Sequence, residues 1–164
     1  MVLLIQCVVC CLLFTVVILP VQYKDPLSMI MSYPPEIIKR VEQLPQYKGM
    51  IQKREAAHIK KKVIGVVFFV ILLAVLAYCS GCRSFYSVFL HVFTLFLVVN
   101  MYDMLILDWG IFCHSKRLQI PGTEDMEDVY KNKWFHLRGA IIGTVLGLVV
   151  ATASGGMVHI FMKI

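Results

Sequence analysis

The chain has 164 residues, of which 59% are hydrophobic, and its formal net charge is +6 at pH 7. Soluble domains average about 45–50% apolar residues, and the excess here lies in four long runs, which excludes an ordinary soluble domain. The positive charge lies mainly between these runs, so membrane topology and attraction to anionic lipid explain it without nucleic acid as a partner.

The four apolar runs predict four membrane-spanning helices, because about 20 such residues cross the hydrocarbon core of a bilayer. The predicted spans cover residues 2–20, 63–79, 85–109 and 139–162. The second run is short, and the stems of Lys60, Lys61 and Lys62 extend its apolar length. The first run lacks a basic segment before it and a cleavage site after it, so we interpret it as a retained helix. The sequence predicts one all-α domain, 1–164, of a polytopic membrane protein.

The orientation follows from the basic residues. The two long loops, 21–62 and 110–138, contain all of the 16 Lys and Arg residues except Arg83 and Lys163. Basic loops stay on the cytoplasmic side of a membrane. Both loops are therefore predicted to be cytoplasmic, with both termini extracytoplasmic, in a multi-pass protein of the cell membrane.

The first loop is predicted to contain a short amphipathic helix over residues 36–44. Its apolar residues recur at helical spacing, and Pro45 ends it. We expect this helix to lie on the membrane surface, with a basic solvated linker as the alternative. A second helical stretch, 50–62, is predicted to run directly into the second span.

The second loop begins a second amphipathic helix after a turn. Ile120, Pro121 and Gly122 predict a type II turn, with Pro first and Gly second at its centre. Thr123 is then predicted to cap the helix, whose first turn carries Glu124 and Asp125, the favourable charge for a helix N-terminus. The predicted fold is therefore four spans plus two short amphipathic cytoplasmic helices.

Small residues recur every four positions along the fourth predicted span. They are Gly139, Gly143, Gly147, Ala151 and Gly155. Such a stripe lets helix backbones approach closely in lipid. It predicts a tight contact with another span of this chain, with a second copy in a homo-oligomer, or with a different membrane protein. The presence of four spans in one chain favours a contact within the chain.

Several short stretches after Pro20 carry a resemblance to a known group of proteins. They read YPPEI (33–37), LPQYK (44–48), VNMYD (99–103), CHSK (113–116) and IPGTEDM (120–126). These stretches resemble a group of small bacterial four-helix integral membrane proteins that has no assigned activity. The resemblance implies the architecture and transfers no site residue.

Asp103 is the strongest functional lead, because a carboxylate in a membrane-spanning helix costs about 2.5–3.5 kcal/mol at mid-bilayer and needs water or a partner. In an α-helix Asn100, Asp103 and His114 share one face. Asp108 is rotated by about 140° from Asp103 and borders the same cavity. These four residues predict a small-molecule or ion-binding site at the cytoplasmic interface of spans three and four.

The chemistry of this site is open. Glu124, Asp125 and His136 belong to the same group of polar residues. Histidine and carboxylates ligate metals or form an acid–base pair, but their spacing here matches no metal motif. The metal, the cofactor, the substrate and any catalysis are therefore unknown. The alternative is structural: Asp103 hydrogen-bonds a neighbouring helix and Asp108 meets basic groups or water.

The cysteines suggest a second hypothesis. Cys79 and Cys82 form a CxxC at the outer mouth of the hairpin between spans two and three, and the neighbouring Arg83 favours the Cys82 thiolate. A second group in the first span lies toward the same side: Cys7, Cys10 and Cys11. This layout resembles four-helix membrane thiol oxidoreductases in outline. A structural disulfide or simple helix packing is the alternative.

A third hypothesis is a non-catalytic helper subunit of a membrane complex, which docks through the glycine stripe and the surface helices. His91, Thr94 and His159 inside the spans are predicted to be packing residues. The chain has no phosphate-binding glycine loop and no dinucleotide fingerprint, which disfavours nucleotide chemistry.

Overall fold

The computed structural model describes residues 1–163, with side chains described for all of these except residue 53 and residues 56–61. The predicted roles of Lys60 and Lys61 lie outside the described side chains. Within this part of the chain the regular structure is helical, and four helices are long and apolar enough to cross a membrane. The α-helices are α1 (Val2–Lys24), α2 (Pro35–Gln43), α3 (Met50–Cys79), α4 (Phe85–Tyr102), α5 (Glu127–Tyr130) and α6 (Lys133–Phe161). Short 3₁₀ turns cover Pro26–Ser32, Pro45–Tyr47, Lys116–Leu118 and Glu124–Met126.

The four long helices fall where the apolar runs predict them, but three of them extend further. α1 continues through Pro20 to Lys24, and the third long helix reaches Phe112. α6 begins at Lys133 because the side chain of Asn132 accepts hydrogen bonds from the Trp134 and Phe135 amides, at 3.1 and 3.3 Å. An Asn at this position satisfies amides that a helix start leaves unpaired. α3 is continuous from residue 50, as predicted.

α4 lies at the centre of the bundle and packs against the other three long helices. The buried core between them is built from small and aliphatic side chains: Cys7, Leu73, Ala74, Ala77, Val88, Val92, Leu95, Val150, Ala151 and Val158. α1 is the most peripheral helix and is joined to α4 by two side-chain hydrogen bonds. Gln6 bonds His91 at 2.7 Å, and Thr15 bonds Tyr102 at 2.8 Å. His91 is thus a satisfied packing residue, as predicted.

The glycine stripe of α6 packs against α4 of the same chain. A Cβ atom added at Gly143 would lie 2.4 Å from Asn100 Oδ1, and one at Gly147 would lie 2.6 Å from Phe96 Cδ1. Gly155 meets the ring of Phe85 in the same way, whereas a Cβ at Gly139 would have nothing within 4 Å. The intramolecular contact expected from the stripe is present, and a contact of this stripe with a second chain stays a prediction.

The two long loops fold together at one end of the bundle. We call this unit, residues 25–49 and 113–132, the cap. Its buried core is completed by Ile51 and Phe112 from the long helices. The residues that the cap itself contributes are Ile30, Tyr33, Ile37, Val41, Leu118, Ile120 and Tyr130. The Tyr33 hydroxyl joins the two loops by donating to the Leu118 carbonyl at 2.9 Å.

The apolar face of α2 lies in this core and not on the membrane surface. Ile37 and Val41 are completely buried, and the residues around them come from both loops. The prediction of an amphipathic helix is confirmed, and the prediction that it lies on lipid is wrong. A protein core and a bilayer present the same apolar environment to such a face, so the pattern alone does not separate them.

The second predicted amphipathic helix is reduced to a 3₁₀ turn and the four residues of α5. Gly122 has φ +92°, and the Thr123 amide donates to the Ile120 carbonyl at 3.1 Å, so the predicted turn is present. The Thr123 hydroxyl does not cap a helix, because it bonds the Ile120 carbonyl and the Tyr130 hydroxyl, both at 2.7 Å. Its oxygen is used within the turn.

Candidate functional site

The third long helix changes its winding where its acidic residues lie. Asp103–Phe112, which we call the π segment, continues α4 as a π-helix. Its hydrogen bonds join residues five apart, as between the Cys113 amide and the Asp108 carbonyl at 2.9 Å. Such helices hold well under about 1% of residues in globular proteins and are found mostly at functional sites.

The π winding moves Asp108 toward Asp103. In an α-helix these residues would point about 140° apart. Hydrogen bonds between residues i and i+5 widen each turn, so residue i+5 lies closer to residue i around the helix axis than it does in an α-helix. The predicted rotation of about 140° assumed α-helical winding, which this segment does not have, and the place of Asp108 at the rim of the site stays a prediction.

His136 comes from the second turn of α6 and meets this acidic pair. Its Nδ1 atom lies 3.1 Å from Asp108 Oδ2. The ring is only 4% exposed and is held edge-on by Phe112 and Phe135, with ring centroids 5.2 and 5.3 Å away. The imidazole side of this interaction is therefore enclosed by aromatic side chains, while the Asp108 side chain stays 30% exposed, so solvent screens the pair only in part.

The other ring nitrogen of His136 is free. An ionised Asp108 accepts a hydrogen bond from Nδ1–H, which leaves Nε2 without a proton in the neutral imidazole. His136 Nε2 is buried and has no hydrogen-bond partner among the described residues, and the same holds for Trp109 Nε1. An unpaired buried polar atom costs about 1–3 kcal/mol, so each nitrogen favours a partner from outside the chain.

A basic group borders the site. The Lys133 ammonium lies 5.3 Å from the centroid of the Trp109 ring. Burial raises the pKa of the neighbouring Cys113 thiol, with Asp108 adding to the rise and Lys133 opposing it. Cys113 is therefore a protonated, buried thiol at neutral pH and contributes no charge to the site.

The structure separates the other two predicted site residues from Asp103. The Asn100 amide donates to the Ala140 carbonyl at 2.8 Å and to the Thr144 hydroxyl at 3.1 Å, so it ties α4 to α6. His114 follows the end of the helix, is exposed, and has no side-chain hydrogen bond within the described part of the chain. Ligand-binding roles for Asn100 and His114 stay predictions.

The acidic residues of the second loop belong to the surface of the cap. The Glu124 carboxylate accepts the Gly122 amide at 2.9 and 3.0 Å, and this hydrogen bond lowers the pKa of Glu124. Asp125 pairs with Arg40 at 3.4 Å, between two exposed side chains. Both interactions are solvated and leave the charged pocket to Asp103, Asp108 and His136.

The thiols of the hairpin are free in the structure. Cys79 is exposed and Cys82 is half-buried. The Arg83 guanidinium lies 3.8 Å from the centroid of the Tyr78 ring and donates to the carbonyls of Tyr78 and Cys82. The redox role of Cys79 and Cys82 stays a prediction.

Both cysteine clusters lie at the same end of the bundle, as expected. The Gln6 amide donates to the Ser80 hydroxyl at 2.9 Å, which places the start of α1 against the hairpin. Cys7 and Cys10 of α1 and Cys82 of the hairpin pack against the same buried core.

Within the described residues, no group of three or more His, Cys, Asp or Glu side chains is placed to hold a metal ion. No protein-family model, curated protein or solved structure matches the chain. No relative thus indicates a function, and the contact of Asp108 with His136 beside Asp103 is the structural feature from which a function is proposed below.

Proposed function

We propose that this chain is a small multi-pass protein of the cell membrane that binds a small ion or small molecule at the cytoplasmic interface between its third and fourth spans. Asp103, Asp108 and His136 form the site. The observation that carries this proposal is the contact of Asp108 with the buried His136 ring, whose Nε2 atom has no partner within the described chain. The pair lies beside a second carboxylate in a π-helical segment.

The surface of the bundle supports insertion in a membrane. The long helices present large apolar side chains outward, and many are more than half exposed: Leu4, Val16, Val67, Phe68 and Ile142. Burying such surface in lipid removes it from water, at roughly 25 cal/mol per Å². The basic residues concentrate at the end that carries the cap, which supports a cytoplasmic cap and extracytoplasmic termini.

The chemistry of the three side chains favours a positively charged or hydrogen-donating ligand. Asp108 fixes the imidazole, so the bare Nε2 atom accepts a proton or a ligand N–H or O–H group. Asp103 adds negative charge that no hydrogen bond or ion pair balances among the described residues. A proton, a monovalent cation or a small protonated amine meets both requirements.

Trp109 provides a reporter beside the site. The chain has 2 tryptophans, and Trp134 is 73% exposed, so Trp134→Phe leaves Trp109 as the single indole. In lipid nanodiscs, the Trp109 emission of this variant would be followed while protons, Na⁺, K⁺ or ethylammonium are added. We expect a saturable, reversible change.

Matched variants separate the site from general effects of pH and salt. Asp108→Asn and His136→Gln should abolish the change in emission, while His114→Gln, at an exposed histidine, should keep it. Circular dichroism would verify that each variant stays helical. Emission that responds to none of the four probes, or responds equally in the Asp108 and His136 variants, would rule out the site and leave a helper subunit as the better account.

A further inference from the structure

The π segment contains Asp103 and Asp108, and its winding turns them closer together around the helix axis than an α-helix would. In α-helical winding Asp103 and Asp108 would lie about 140° apart around the axis and about 7.5 Å apart along it. Two like charges in a weakly screened environment repel each other strongly. The π winding is also the rarer backbone state. Both effects oppose the observed register when both carboxylates are ionised.

The groups that face the pair offset only part of this repulsion. From α6, His136 bonds Asp108 and Lys133 lies above the Trp109 ring. Asp103 has no hydrogen bond or ion pair among the described side chains, and the carboxylate of Asp108 pairs with His136 instead. With His136 neutral, the described groups leave the Asp103 charge without a direct counter-charge.

We infer that one positive charge held between Asp103 and Asp108 keeps residues 103–112 in the π register, and that loss of this charge converts the segment toward α-helix. This inference rests on the proposed binding site and names both its ligand class and its regulation. The charge is a proton or a monovalent cation. Either one removes the repulsion that the π register would otherwise carry.

A change of register would reach the cap. Phe112 ends the π segment, and its ring packs against Tyr33 and Tyr130 with centroids 4.9 and 6.0 Å away. The next residue, Cys113, is 4% exposed, and its amide bonds the Asp108 carbonyl. In an α register that amide would bond the Trp109 carbonyl, and both residues would rotate about the helix axis. Occupancy of the site is thereby linked to the packing of both loops.

The accessibility of Cys113 tests this link. Replacing the other five of the 6 cysteines by Ala leaves Cys113 as the single thiol. Its rate of reaction with a small maleimide would be measured in nanodiscs at about pH 8, where thiols react as thiolates. The buffer contains choline chloride, NaCl or KCl. Lys131→Cys in a background lacking all native thiols reports changes in reagent reactivity at an exposed site of the cap.

In choline chloride, we expect Cys113 to react about tenfold faster in the protein with the native Asp103–Asp108 pair than in the Asp103→Asn variant. Local opening of the structure sets the labelling rate of a buried group. If Na⁺ or K⁺ slows the native rate to that of the variant, the charge is a cation. If only a lower pH does so, relative to the Lys131→Cys control, the charge is a proton. Asp103→Ser serves as a second neutral variant.

A native rate equal to that of both neutral variants in every buffer would overturn the coupling, and so would faster labelling of the neutral variants. These outcomes differ from a failure of the binding site itself. Trp109 emission that still responds to the probes, with Cys113 labelling unchanged, would leave the site in place and remove only its control of the helical register.

Discussion

The imidazole of His136 lies 3.1 Å from the carboxylate of Asp108, and this pair joins the start of α6 to the end of the third long helix. The two residues are far apart in the chain and meet because α6 packs along α4. The His136 ring is buried, whereas the Asp108 side chain is partly exposed. A titratable pair in such a place is an expected feature of an ion or proton site.

Gly143 should tolerate no added side chain. Gly143→Ala places a methyl group against Asn100 and disturbs the hydrogen bonds from Asn100 to α6, whereas Gly139→Ala meets no neighbouring atom. We expect the Gly143 variant to lose about 1–3 kcal/mol of stability, as overpacked sites do, and the Gly139 variant to lose none. Unfolding in mixed micelles with increasing SDS measures both. Equal stabilities would contradict the close contact of α4 and α6.

The cap should lose stability at alkaline pH. Burial raises the pKa of the Tyr33 hydroxyl above its ordinary value of 10.0, with Tyr130 and Asp25 adding to the rise. The folded state therefore holds this proton more tightly than the unfolded state. The resulting stability is fully present below about pH 10 and is lost as the pH rises above that value toward the folded pKa.

Tyr33→Phe separates this effect from general alkaline damage. At neutral pH the variant loses the hydrogen bond to Leu118, about 1 kcal/mol, but its cap should be less sensitive to pH above 10. Near-ultraviolet circular dichroism would follow the cap, and Tyr23→Phe, at an exposed tyrosine, is the matched control. Identical alkaline transitions in the native protein and in Tyr33→Phe would show that Tyr33 is not the titrating group.

The orientation of the chain can be measured with single cysteines. Cys79 lies exposed in the hairpin, and Ser32 and Lys131 are exposed positions of the cap. In intact cells, an impermeant maleimide should label Cys79 and should label Ser32→Cys and Lys131→Cys only after lysis, each in a background without other thiols. Labelling of the two cap positions from outside would reverse the topology.

Much of the fold follows from the sequence because it depends on local patterns. Runs of apolar residues locate the four long helices, and the stripe through Gly143 and Gly147 identifies the face of α6 that packs tightly. The sequence also predicts the apolar face of α2, but it does not indicate which surface that face packs against. Ile37 and Val41 are suited to lipid and to a protein core alike, and only the folding of both loops decides between them.

The geometry of the site is harder to predict from the sequence, because it depends on the π winding. The spacing of Asn100, Asp103 and His114 fits one face of an α-helix. No residue in the π segment indicates a different pattern of backbone hydrogen bonds. The sequence places His136 in the group of polar residues near Asp103. Its contact with Asp108 depends on how α6 packs against the third long helix, which the sequence does not indicate. A pair of acids five residues apart near the end of a span is the only sequence signal that could have suggested this geometry.

The ¹⁵N spectrum of His136 tests the central claim most directly, because it reports which ring nitrogen carries the proton. In protein labelled at its 5 histidines, the signal of His136 is identified by its loss in His136→Gln. We predict an imidazole with its proton on Nδ1 and a bare Nε2 atom, whose ¹⁵N resonance changes position in Asp103→Asn. A native imidazole with its proton on Nε2, and an Nε2 resonance unchanged by Asp103→Asn, would contradict the site.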